Sequence, residues 1–577
     1  MQRLPVIVGF GGYNAAGRSS SHHGFRRMII DALASEEKHE TIAGLAVMMG
    51  LVIFDGEHFR SAVGDLLSLS EVANQYWDEI RAGTLVRRLA ETNRMPLSKV
   101  RTSGQLPAGF DVSALYKSRF HPRNLQLTIC GVSDALHSMG IEWDQVVCAV
   151  KPDEIAVYVG SVFGQIDEFS MAGAFKSYEN GRRVSAKQLP LSLNTMPADF
   201  INAYVLGSLG TTGCVTGACA TFLYNLKAGI ESIQSGESRV VVVGASEAPV
   251  TPEIIDGFAA MNALATTDGL KKLSGDGGEP DYQKASRPFG LNCGFTIAEG
   301  SQFIILMDDK LAVELGAQIH GAATHVFVNT DGYKKSISAP GAGNYITLAK
   351  AMAAAKGIVG EEGLRQRSFV HAHGSSTPVN RTTESELLND LAKSFGITNW
   401  PVTAVKSFVG HSLGPASGDQ VVAALGCFKY GVIPGITSIS SVSDDVRQDY
   451  IDVLIEHQMR NSDELDVAFV NSKGFGGNNA TGVLLSPAKV EQMLQVRYGA
   501  KEFERYCLKR EACLIRSSRY DYKAVRGDFN VIYNADQPVI DAHAIEIIGQ
   551  EIKLPGFINH LSLNSASQYT DMLEGVL

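Results

Sequence analysis

The feature that most constrains this chain is a repeated unit, a short apolar strand running straight into a glycine-rich polar loop. Residues 368–372 lead into His373-Gly374-Ser375-Ser376-Thr377-Pro378, and residues 402–405 into the loop 406–414. Residues 467–470 lead into the loop 471–479 before Val483-Leu484-Leu485 returns. In the first half, residues 155–164 show the same pattern, and Val240 to Val243 are four β-branched residues in a row, as in a strand covered on both faces. Before that strand, Leu223, Leu226, Ile230 and Ile233 repeat at the spacing of a helix packed on one face, and Ser235-Gly236 stops it. Strand, loop and helix in alternation define a layered α/β fold, whose chemistry sits in loops at the carboxyl ends of strands.

Length and composition narrow the class. At 577 residues the chain is about four times a ~150-residue domain. With 45% hydrophobic and 19% charged residues it reads as a folded protein with large cores rather than a disordered one. A net charge of -10 gives no reason to expect nucleic acid as a partner. Eight cysteines without a CxxC pair fit neither a disulfide scaffold nor a zinc ribbon. No cleavage-site pattern follows the start, and no apolar run approaches the ~18–20 residues of a membrane helix. The expectation is therefore a cytoplasmic protein with no membrane partner.

Several peripheral features carry expectations of their own. Val6-Ile7-Val8 reads as a short buried strand entering a glycine turn at Gly9, Gly11 and Gly12, whose spacing is not that of a dinucleotide-binding loop. Residues 24–120 read as a mainly helical elaboration laid over a core, without a motif of their own. The tail, 488–577, lies outside the strand-loop pattern. Between Arg497 and Arg526 it carries nine basic and four acidic residues.

Three residues could carry chemistry together. Cys219 sits among small residues at the start of a helix, where free amides and the macrodipole favour a thiolate. Taken alone it could equally be a buried structural cysteine. His373 and His411 each lie at a strand-to-loop junction beside glycine, and a Cys-His-His set suits covalent acyl transfer. As a metal site the same set is poorer, because no carboxylate pair or short-spaced ligand pair accompanies it. The turn Gly474-Phe475-Gly476-Gly477 could present amides to an oxyanion, or could simply join two strands. Lys406 is an ion-pair candidate, and Glu384 begins the helix after the His373 loop.

These pieces resemble, in order, the β-ketoacyl-acyl-carrier-protein synthases. The matching segments are Gly217-Ala218-Cys219-Ala220-Thr221, residues 373–378, Lys406-Ser407-Phe408-Val409-Gly410-His411, and Gly474 to Asn479, with Ser286-Arg287-Pro288-Phe289 and residues 240–244 beside them. The resemblance implies a thiolase-like fold, two similar halves in a five-layered α-β-α-β-α core. The expected halves are 1–310 with the nucleophile and 311–487 with the histidines, plus a 488–577 extension. It also implies an acyltransferase of fatty-acid biosynthesis, with Cys219 as acyl carrier and His373 and His411 promoting decarboxylation of a malonyl thioester. Lys406 and Glu384 would support the site, the amides of Cys219 and Phe475 would hold the oxyanion, and Phe475 would gate the acyl pocket. Ser375, Thr377 and Gly476, with Phe163 and Gln165 if they line the pocket, are the expected substrate contacts. Acyl-CoA and malonyl-carrier protein are the expected substrates, with no cofactor and no metal, and the assembly a homodimer. The acidic carrier protein calls for a basic dock, for which the 497–526 segment is one candidate.

Two departures stand out. Pro378-Val379-Asn380-Arg381 replaces the Gly-Asp of many relatives, which leaves the local salt-bridge arrangement open. The length and the opening residues are similar to the long FabY-type bacterial branch, associated with starting synthesis from acetyl-CoA. An elongating synthase, a non-catalytic length-setting partner and a degradative thiolase are the alternatives. The presence of Cys219 speaks against the second, and the absence of a late Cys-Gly-Gly-Gly loop against the third.

Overall fold

In the computed structural model the described residues are 2–89, 99–275, 278–336, 339–564 and 572. The backbone is organised around one 12-stranded mixed sheet that reads as two copies of one motif. The first copy uses β1 (Pro5–Asn14), β2 (Ile155–Gly160), β3 (Val240–Glu247) and β4 (Gly300–Asp308). The second uses β5 (Gly321–Thr330), β6 (Ser368–His371), β7 (Trp400–Thr403), β8 (Val467–Gly474) and β9 (Asn478–Leu485). In the first copy β2 runs parallel to β3, β3 antiparallel to β4, and β4 antiparallel to β1. In the second, β6, β8, β9 and β5 repeat those relations in the same order. The copies join where β1 meets β5, through only Val6↔Ala322 and Ile7↔Gly321.

Strand alternation builds the layers. Val241 and Val243 face an inner cluster shared with Leu223, Leu226, Ile230 and Ile233, whereas Val240 and Val242 face an outer one. The inner layer holds two helices, α2 (Thr221–Ser235) and α5 (Ala416–Tyr430). Outside lie α1 (Arg123–Ser138) against the first copy and α3 (Gly343–Gln366) against the second, with α4 (Pro378–Ser394) beside it. The helix expected from the apolar stripe is α2, and it ends at Gly236 in the left-handed region, φ 86°.

Two expectations change. Gly9, Gly11 and Gly12 do not form a turn; they lie inside the ten-residue strand β1. A Cβ on Gly11 would sit 2.2 Å from the backbone nitrogen of Ala135 and one on Gly9 2.8 Å from Ala135 O, so these two glycines let α1 lie directly on the strand. The described part of residues 24–120 is helical only in part. Besides helices Ser35–Met48 and Leu69–Gly83 they form two small antiparallel sheets. The region also reaches the core, because Gly104 N donates to Ile297 O at 2.8 Å and Glu299 N to Gly104 O at 2.9 Å, on the wall of the site described below.

The tail opens with α6 (Pro487–Tyr498), which packs on β5 of the second copy, and α7 (Ala500–Val525), which packs on helix Ser35–Met48 and on α1 beside the first copy. Its buried hydroxyls reach the core: Tyr506 donates to Ala317 O at 2.9 Å and Tyr520 to Asp134 Oδ1 at 2.8 Å. Much of its positive charge is committed locally. Arg497 pairs with Asp309, Arg505 with Glu502 and Arg510 with Glu491, and Arg516 donates to Gly140 O. Among the described residues no helix is long and apolar enough to cross a membrane.

Candidate active site

The two inner helices point their N-termini at one another, and the site lies between them. Cys219 immediately precedes the N-cap of α2, Ala220, and is held by an elbow in which Ala218 takes φ 49°. A β-carbon on Gly217 would lie 2.6 Å from the Tyr224 ring, which explains the glycine there. The sulfur is buried, and the backbone N–H groups of Phe475 and of Cys219 itself donate toward it. Burial pushes the thiol up to about 11, against the pull of the Lys406 ammonium and those two amides. The helix-start position therefore does not produce the lowered thiol expected from sequence; loss of solvent outweighs it.

Both histidines are arranged as neutral donors. His373 follows β6, and its Nδ1 accepts from the Lys473 N–H at 3.3 Å. His411 Nδ1 accepts from the Leu413 N–H at 3.1 Å. With Nδ1 occupied as an acceptor, a neutral ring carries its proton on Nε2. Burial, reinforced by the Lys406 charge, holds both imidazoles well below their ordinary range. The two rings meet edge to face with centroids 5.4 Å apart.

Lys406 and Glu384 fix this arrangement from behind. The Lys406 ammonium donates to His373 O at 2.7 Å, and burial lowers it to about 8. Glu384 accepts from the His373 and Gly374 amides at 2.8 and 2.9 Å, and from Asn471 Nδ2 at 2.7 Å. The two side chains act on the His373 loop without lining the cavity themselves.

A cavity of about 450 Å³ opens onto Cys219, His373, His411 and Phe475. Ser375 and Thr377 border it, their hydroxyls 3.0 Å apart. Gly476, in the left-handed region at φ 87°, lies just beyond its wall. Phe163 and Gln165 are elsewhere. Gln165 is buried against the chain at Leu191 and Leu193, and Phe163 is one ring removed, its centroid 6.0 Å from that of Phe258. Phe258 in turn stands 5.2 Å from Phe295 and 6.0 Å from Phe475. Together with Ile255, Leu264 and Leu413, these rings fill the space beside the sulfur. Leu89 and Val100, from the inserted region, belong to the same cluster.

The open question about the Pro378 loop has a plain answer. Asn380 Oδ1 accepts from Ser375 N at 2.9 Å, and Arg381 makes a two-pronged pair with Asp445 at 2.8 and 2.7 Å. Other site residues escaped the sequence reading. Glu247 is buried at the end of β3 and accepts from Val162 N at 2.7 Å and Ser161 Oγ at 2.8 Å; burial raises it to about 7. Asp419, at the start of α5, ties Asn14, Gln302 and Ser412 together. A lone acid at a strand end or a helix start was the available signal. Among the described residues no group of three or more His, Cys, Asp or Glu is placed to hold a metal ion. None of the residues of the 497–526 segment borders the Cys219 cavity.

A thiol elbow, two forward-facing imidazoles and a duplicated five-layered core define a condensing acyltransferase, and the chain belongs to the β-ketoacyl synthase family. It matches the N-terminal domain of that family over residues 66–312 and the C-terminal domain over 320–440. Within the family it is 50% identical to Beta-ketoacyl-[acyl-carrier-protein] synthase FabY of Pseudomonas aeruginosa, covering 100% of both chains. The crystal structure of the ketosynthase FabY from P. aeruginosa matches with TM-score 0.96 and 49% identity, over 100% of this chain and 99% of that one. The 3-oxoacyl-[acyl-carrier-protein] synthase 2 of Staphylococcus aureus is 30% identical, over 57% of this chain and 74% of that protein.

Proposed function

We propose that this protein starts bacterial fatty-acid synthesis, joining an acetyl group from acetyl-CoA to malonyl-acyl-carrier protein to give acetoacetyl-carrier protein. The observation that carries the short primer is the packed wall beside the sulfur. Phe258, Phe295 and Phe475, with Leu89 and Val100 in the same cluster, pack against Cys219 and favour a short acyl group there.

The chemistry follows from the geometry. Cys219 Sγ attacks the acetyl thioester, the oxyanion rests on the amides of Cys219 and Phe475, and CoA leaves as its thiol with the Cys219 proton. The malonyl thioester then enters with its carbonyl oxygen toward Nε2 of His373 and His411. Two neutral N–H donors stabilise the enolate left when CO₂ departs, without protonating it. The enolate carbon attacks the acetyl-Cys219 carbonyl, and the thiolate is released to take up a proton. Lys406 and Glu384 hold the His373 loop. Ser375 and Thr377 offer hydroxyls to the arm that carries the thioester, and Phe475 guards the acyl pocket. No cofactor or metal takes part.

The working form we propose is a cytoplasmic homodimer that receives acyl carrier protein. In support, Thr212–Gly213 is an edge strand beside β2, just before the nucleophile, and Leu209 and Val215 on either side are exposed. Carrier protein, which must deliver its thioester to Cys219, fits the cavity mouth better than the 497–526 segment, none of whose residues borders that cavity.

Intact-protein mass after incubation with acetyl-CoA, and separately with octanoyl-carrier protein, tests the reading beside Cys219→Ala. An acetyl adduct absent from the variant supports it. An adduct only from the octanoyl donor makes the protein an elongating synthase.

A further inference from the structure

The mechanism above leaves one cation on the cavity wall without a task. Lys473 follows Ser472, whose hydroxyl donates to Cys219 O at 3.0 Å, and its own N–H holds His373 Nδ1. Lys473 borders the cavity that Cys219, His373 and His411 also line. Both carboxylates whose fields reach it are already engaged. Glu384 is capped by the His373 and Gly374 amides and Asn471. Asp331 accepts from Gly343 N at 3.1 Å and Asn479 Nδ2 at 2.7 Å and pairs with Lys334 at 3.7 Å. Among the described residues the Lys473 ammonium forms no hydrogen bond or ion pair of its own, although burial there disfavours its charge. A partly desolvated cation beside a substrate cavity is stabilised by an anion that arrives with substrate.

We infer that Lys473 receives the carboxylate of the malonyl thioester and sets it in place before decarboxylation. This rests on the condensing reading above, and it separates the two substrates. The acetyl group is neutral, whereas the malonyl group brings a negative charge within a few bonds of the carbonyl that His373 and His411 must hold. The contact belongs to the ground state. As the C–C bond breaks, negative charge leaves the carboxylate for the enolate oxygen, so an ammonium on the carboxylate helps binding and does not help the bond break. Lys473 is then a substrate-selecting residue whose signature lies in KM.

The test is steady-state condensation with malonyl-carrier protein as the varied substrate and primer saturating, for the parent, Lys473→Met and Lys473→Arg. Lys473→Met is expected to raise KM for malonyl-carrier protein about tenfold or more with kcat unchanged or higher, and Lys473→Arg to stay within a few-fold of the parent. An unchanged KM in Lys473→Met overturns the inference, as does a lower kcat at unchanged KM, which would place the lysine's effect on the histidines. Failure of Lys473→Met to form the Cys219 acyl adduct that the parent forms also overturns it, because the lysine would then be needed before malonate arrives. If the parent takes octanoyl in place of acetyl, the primer reading fails, but the KM comparison runs unchanged with that primer.

Discussion

The two copies of the core motif place equivalent ends of one scaffold at the site and use them for different chemistry. In the first copy the loop before inner helix α2 bends at Ala218, φ 49°, and delivers a thiol. In the second the loop before inner helix α5 bends at Leu413, φ 60°, and delivers the His411 imidazole. The two elbows touch, Phe222 N donating to Gly414 O at 3.2 Å. The first copy thus supplies the atom that becomes covalently loaded. The second supplies the imidazole donors and, through Lys406, a positive charge that pulls on the sulfur. Duplication gave a symmetric frame, and side-chain choice at four or five positions divided nucleophile from electrostatics.

If that division holds, the copies can be disabled separately. Cys219→Ala should abolish the acetyl adduct and bring condensation below detection, the largest effect expected; mass spectrometry and product formation read both. His373→Ala and His411→Ala should each lower condensation ~10²–10³-fold, the scale of losing one oxyanion-type donor, while Cys219 still takes up acetyl from acetyl-CoA. A histidine variant that loses the adduct as well would show that the second copy also serves the loading step. Next in size is Phe258→Ala, which removes the ring between Phe295 and Phe475. It should cost ~3–5 kcal/mol in stability by chemical denaturation and admit longer acyl groups to Cys219. Unchanged exclusion of octanoyl would mean that the wall lies elsewhere.

The division also explains which parts of the molecule were legible in the sequence. Strands of the core are buried on both faces and read as apolar runs, and each ends in a loop where chemistry concentrates. Cys219, His373, His411, Lys406 and Phe475 stand at such junctions, so one local pattern found them, whereas Glu384, expected at the start of the helix after the His373 loop, lies two turns inside α4. What the pattern could not supply was distance. Gly9 to Gly12 look like a turn until α1 is seen lying on the strand, because a glycine needed for close approach and one needed for a bend are the same letter. Leu89 and Val100 give no local sign that they close a pocket more than a hundred residues downstream. Phe163 and Gln165 sit at the expected strand end, but Gln165 turns into the protein and Phe163 reaches the site only through Phe258. The state of the thiol was misread for a related reason. A helix start is visible in sequence, whereas the burial that outweighs it is a property of the whole fold.

The smallest effect concerns a charge that acts across the copies. Lys406 belongs to the second copy, yet its ammonium opposes the burial that raises the Cys219 thiol to about 11. Removing it in Lys406→Met should raise the thiol further, so that alkylation by iodoacetamide near neutral pH slows about tenfold for each unit by which the thiol pKa rises. The ratio should itself depend on pH in a defined direction. Lys406 is held down to about 8, so it is charged and effective below that value and loses its proton, and its pull on the thiolate, above it. The parent and the variant should therefore differ most at pH 7 and converge as the pH rises through 8. Alkylation rates measured from pH 6.5 to 10 decide the matter. A ratio that stays constant over that range would mean that Lys406 acts on the sulfur by holding the His373 loop and not by its charge.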